Sequence, residues 1–131
     1  MEKEIDIYIR VIQTNPANRG RAIILYKLGQ NMKEIHFSTL ERTHNRSIIL
    51  SSTIAMEGLK YNCIVNLYTQ NNFGFKFMKN SKKWVNRDSG EGLHHIAAFG
   101  GHTVNYIDCS VTEEGKNHQQ MLATKMKQFK E

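Results

Sequence analysis

Hydrophobic and polar positions alternate along the first run of the chain. From Glu4 to Val11, Ile5, Ile7, Ile9 and Val11 take one parity and Asp6, Tyr8 and Arg10 the other, a period of two that predicts a strand with one apolar face. Gln13 to Gly20 holds the only proline and reads as a turn. Arg21 to Lys27, RAIILYK, predicts a second strand. Gly29-Gln30-Asn31 turns it into a third, Met32 to Leu40, where Ile35 and Phe37 alternate with Glu34, His36 and Ser38. These three strands make an antiparallel meander.

The pattern then changes. Thr43 to Leu59 carries no charged side chain between Ser47 and Met56, and Asn45 and Ser47 can cap it, so the stretch predicts a helix buried on more than one face. After the turn pair Tyr61-Asn62 comes a fourth strand, Cys63 to Thr69. Strand, helix and strand in that order predict a right-handed parallel crossover. Ser89-Gly90 opens a short helix, Glu91 to Phe99, closed by Gly100-Gly101, and Thr103 to Cys109 is a fifth strand. In the last helix, Glu113 and Glu114 stand near the start and Lys125, Lys127 and Lys130 near the end, complementing the helix dipole.

Composition narrows the partners. With 131 residues, 40% of them hydrophobic, the chain suits one globular domain with a sizeable core. A formal charge of +6 and a pI near 9.4 favour a polyanion such as nucleic acid, although basic charge also serves solubility. No apolar run approaches the ~18 residues of a membrane span, and the acidic start MEKEID is no signal peptide, so a cytoplasmic location without membrane contact is expected. Cys63 and Cys109 sit in apolar, strand-like runs and read as buried reduced thiols. His94, His95 and His102 lack any HxxxH or HExxH spacing, so no metal and no cofactor is expected.

Several short motifs resemble ribonuclease H, type 1. They are T-H-N-R at 43–46, A-M-E-G-L at 55–59, V-N-L-Y-T-Q-N at 65–71 and the pair Asn15-Pro16 after the first strand. The family shows T-N-N-R-M-E-L on the helix, T-D-S at the strand end and an N-P turn after T-D-G. The resemblance implies a mixed α/β, ribonuclease H-like fold over residues 1–131. Its sheet would be five-stranded, order 3-2-1-4-5, with strands 1, 4 and 5 parallel and helices on both faces. It also implies a short helix from Asn71 to Lys83, where Gly74 costs about 1 kcal/mol relative to alanine and Phe73, Phe75 and Phe77 alternate as in a strand.

Laid over this sequence, the resemblance places Arg10, Ile48, Gln70 and Gln120 where the family has its four metal-binding carboxylates, and Ser110 where it has a loop histidine. Four carboxylates would carry about −4, these residues about +1, and hard divalent ions want anionic oxygens. A scaffold without catalytic residues is therefore expected: a basic pseudoenzyme that binds an RNA/DNA hybrid or duplex backbone without cutting it. The resemblance further implies backbone contacts by Asn15, Thr43, His44 and Asn45, which as helix-start residues could equally be caps. Lys82, Lys83 and Trp84 fall in a basic, tryptophan-containing stretch that could grip nucleic acid or lie as a solvated loop. Arg10 could pair with a phosphate, or fill the vacated hole and bond Gln70, Gln120 or Asp108. Two other readings stay open: a protein-interaction or self-associating scaffold, such as a homodimer, and a nuclease with relocated acids at Asp6, Glu57 or Asp108.

Overall fold

The computed structural model describes residues 3–14, 19–39, 44–60, 62–70 and 100–128, leaving aside the side chains of 13, 14, 19, 44, 45 and 128. In chain order the elements are β1 (Lys3–Thr14), β2 (Arg19–Leu28), β3 (Asn31–Thr39), α1 (His44–Glu57), β4 (Cys63–Thr69), β5 (Thr103–Asp108) and α2 (Glu113–Gln128), with a 3-10 turn, Cys109–Val111, between β5 and α2. The strands form one sheet of order β3-β2-β1-β4-β5. β1–β2 and β2–β3 pair antiparallel, whereas β1–β4 and β4–β5 pair parallel. This is the topology expected from the sequence. The expected helices at 71–83 and 91–99 lie outside the described residues.

The first hairpin is longer than the hydrophobic alternation suggests. Gln13 pairs with Gly20 and Thr14 with Arg19, so four residues assigned to the turn belong to strands. Ladder hydrogen bonds need only backbone, and pairing outruns the apolar pattern. The β2–β3 loop is shorter than expected: Leu28 faces Asn31 across only Gly29-Gln30. Gly29 takes φ 61°, which glycine adopts without penalty and which a two-residue hairpin of this kind requires at its first position.

Two cores flank the sheet. On one face Ile5, Ile7, Ile9 and Val11 of β1, with Ala22 and Ile24 of β2 and Val65 and Leu67 of β4, pack against Ile48, Ile49, Ala55 and Met56 of α1. On the other, Tyr8, Ile23 and Leu25 pack against Leu122 and Met126 of α2. α1 buries Ser47, Ser51 and Ser52 as well. Ser51 and Ser52 donate to the carbonyls of Ser47 (2.7 Å) and Ile48 (2.8 Å), so these hydroxyls satisfy themselves within their own helix. Cys63 and Cys109 are buried and form no disulfide. His102 serves structure, its Nδ1 accepting from Cys63 N at 3.1 Å. None of the described helices is long and apolar enough to cross a membrane.

Burial also sets the alkaline limit. It pushes the phenols of Tyr26 and Tyr106 up to about 12; Tyr8 also reaches about 12, through burial first and then Asp6 and neighbouring groups. The unfolded phenol ionises near 10, so between about pH 10 and 12 the unfolded chain loses protons that the folded chain keeps. Folding stability is therefore expected to hold below pH 10 and fall as pH rises towards 12, which urea unfolding across that range would measure. Ile7→Ala, which empties a fully buried site, is expected to cost about 2–5 kcal/mol in the same assay at neutral pH.

Candidate nucleic-acid interface

Arg10 follows from the pleat of β1. Its odd neighbours Ile9 and Val11 enter the α1 core, so Arg10 must face α2, between Tyr8 and Ile12. There Arg10 Nη1 donates to Gln119 Oε1 at 3.3 Å, while Gln119 Nε2 donates to the carbonyl of Ile9 at 3.0 Å. Gln119 is 8% exposed and bridges the arginine to its own strand. Arg10 Nε is buried with no hydrogen-bond partner, and burial pulls the guanidinium's pKa below its ordinary value. Guanidinium nonetheless stays charged in proteins, so a partly desolvated cation stands here with unused donor capacity.

The neighbouring positions come from three chain segments. β1 pairs with β4 only as far as Tyr8 and Tyr68. Beyond that, Gln70 extends the contact with its side chain, Oε1 accepting from Val11 N at 2.7 Å. At the end of β5, Asp108 Oδ1 accepts from Ser110 N at 2.8 Å and from the Ser110 hydroxyl, fixing the 3-10 turn. Gly115 lets α2 start against that turn, since a Cβ there would lie 2.6 Å from the Cys109 backbone. The result is a cleft of about 250 Å³ lined by Arg10, Gln70, Cys109, Ser110, Lys116, Gln119 and Gln120. Burial raises the Cys109 pKa, an effect that hydrogen bonding by Gln119 opposes and the Asp108 charge reinforces.

Arg10, Gln70, Ser110 and Gln120 are thus brought together. Ile48 is not: its side chain is 1% exposed in the α1 core, on the other face from α2. The expected partners of Arg10 need correction, because Gln119 and not Gln70, Gln120 or Asp108 holds it. Gln70 is committed to Val11 N and Asp108 to Ser110, while Gln120, one residue on, has turned to the exposed flank of the helix. Gln119 had a signal in the sequence: it shares the stripe Gly115, Gln119, Leu122, Met126, a polar residue at an apolar position. Asn15, Thr43, Lys82, Lys83 and Trp84 lie outside the described residues, as do the side chains of His44 and Asn45 at the start of α1.

A pair of divalent ions does not fit this cleft. Its described lining offers two cations, three neutral amides, a hydroxyl and a thiol, and no carboxylate. Among the described residues no three His, Cys, Asp or Glu side chains, Asp6, Glu57 and Asp108 included, group so as to hold an ion. Asp6 instead accepts from Asn66 Nδ2 at 3.0 Å.

Strand order, the parallel crossover and helices on both faces make a ribonuclease H-like fold. The crystal structure of RNase H1 from the halophilic archaeon Halobacterium salinarum NRC-1 superposes with a TM-score of 0.68, covering 91% of this chain and 93% of that one at 8% identity. Ribonuclease H of Hahella chejuensis (strain KCTC 2396) is 36% identical over 73 residues, 54% of this chain and 48% of that protein. The chain therefore matches about half the length of this relative. No family model matches the sequence.

Replacing Gln119 by leucine would orphan both Arg10 Nη1 and the Ile9 carbonyl. Gln119→Leu is expected to lower stability by about 2 kcal/mol in urea unfolding, against less than about 0.5 kcal/mol for Gln120→Ala on the exposed flank. Equal effects at the two positions would show that the bridge contributes nothing.

Proposed function

We propose that this protein binds the phosphate backbone of nucleic acid, as hybrid, duplex or single strand, and does not cleave it. One observation carries the reading: in a ribonuclease H-like fold, the cleft where the pairing of β1 with β4 ends holds Arg10, with a buried and unpartnered Nε, and Lys116, and no carboxylate among its described lining residues. Hydrolysis through two metal ions depends on anionic ligands that hold the ions and stabilise both oxygens of the displacement. A guanidinium in that place attracts the phosphate directly and activates no water. The formal charge of +6 and the likeness to a protein named ribonuclease H support a polynucleotide as the ligand. Phosphate contacts of this kind position a strand without reading its sequence.

The described surface gives one observation in favour of a second reading, a self-associating scaffold. Leu28 and Met32 are exposed beside the β2–β3 turn, at the edge of the sheet. Light scattering on the eluting protein separates monomer from homodimer.

Incubation of the protein with a labelled RNA/DNA hybrid and Mg2+ or Mn2+ is expected to leave the RNA uncut, while a gel shift at low salt detects a complex that dissolves as salt rises. Arg10→Ala is expected to weaken that complex about tenfold. Robust metal-dependent cleavage, or no complex at low salt, would overturn the reading.

A further inference from the structure

We infer that the strand held at Arg10 continues along α2 in a cationic track ending between Arg21 and Lys127, and that the track is shaped for a single strand. The inference rests on the nucleic-acid-binding reading above and extends its site to a second cleft.

That cleft, about 140 Å³, is lined by Arg10, Ile12, Arg21, Ala123, Met126 and Lys127. It shares Arg10 with the first cleft, so one guanidinium stands at the junction of the two. Arg21 is paired with Ile12, and Arg10 with Ile23, which makes Arg10 and Arg21 diagonal neighbours on one face, about 7–8 Å apart at the backbone. Along α2, Lys116, Gln120, Ala123 and Lys127 recur at helical spacing and form the flank next to the buried stripe. From Lys116 to Lys127 this flank rises about 16 Å, enough for up to about five stacked nucleotides of one strand.

The described lining of the two clefts contains four cations and no carboxylate. Lys125 belongs elsewhere, its Nζ lying 3.1 Å from Glu34 Oε2. Glu114, near the start of the helix, lies 3.9 Å from His118 Nε2. The side chains that line this track among the described residues thus carry a single sign of charge, with Asp108 behind the first cleft and bonded to Ser110.

The choice of a single strand follows from the floor of the second cleft. The half-buried Ile12 and Ala123 present an apolar surface between the cations, with the edge of the buried Met126 beneath them. In a duplex the bases are stacked inside and the outward surface is ionic phosphate, which gains nothing from such a floor. In a single strand the sugar and base faces are free to cover it while the phosphates stay with Arg10, Arg21 and Lys127.

Fluorescence anisotropy with a short fluorescein-labelled oligouridylate, over a series of salt concentrations, tests the track. The full chain is compared with Lys116→Gln/Lys127→Gln, two exposed positions whose replacement is checked by thermal unfolding. The double variant is expected to bind about tenfold more weakly at low salt, with a slope of log affinity against log salt shallower by about 1.4. The parent is expected to prefer the single strand to a duplex of equal length. Parental affinity and slope in the double variant, with weakened binding by Arg10→Ala, would discard the track and leave the wider reading standing. Tighter binding of the duplex would also discard it. No binding of any polynucleotide by the parent would remove both.

Discussion

Side chains on a strand point alternately to its two faces, and β1 is paired along both edges, so this one segment supplies both cores at once. Ile5, Ile7, Ile9 and Val11 close the α1 core, while Tyr8, Arg10 and Ile12 meet α2. A register slip of one residue would put Arg10 among the isoleucines and Ile9 in the cleft. Fold and site are therefore specified by the same alternation. The arginine is tolerated because it occupies the polar end of the less completely buried face.

Holding a cation half out of water is costly, and the protein offsets this only in part. Gln119 gives Arg10 one acceptor and spends its amide on the Ile9 carbonyl, so a neutral side chain orients the guanidinium without neutralising it. Arg10 Nε keeps no partner. A carboxylate at position 119 would have made a closed ion pair; an amide leaves the positive charge available to an incoming anion. The same chemistry makes the cleft a poor host for divalent ions.

Elements around the cleft hold it by backbone approach more than by ionic contacts. Gly115 lets α2 begin directly on the turn after β5, and Gln70 continues the β1–β4 contact where the ladder itself stops. On the far face α1 carries buried serines, two of which turn their hydroxyls into their own helix, so its apolar side chains can fill the core without orphaned polar groups.

Sequence alone determined the strands, α1 and the apolar faces, because these follow from local pattern: a period of two for β1 and β3, a short apolar run for β2, which is buried on both faces, and an uncharged run for the buried helix. With the resemblance it also placed Arg10, Gln70, Gln120 and Ser110 near one another. It missed the partner of Arg10, because whether Gln119 or Gln120 points inward depends on the rotation of α2 about its axis, set by Gly115, Leu122 and Met126 against the sheet. Nor could it tell that Ile48 faces the opposite core, or that Arg21 and Lys127 share a cleft with Arg10. Arg10 is 11 residues from one of these and 117 from the other. Only the packing of a hairpin against a distant helix brings such charges to one surface, and no local pattern encodes that distance.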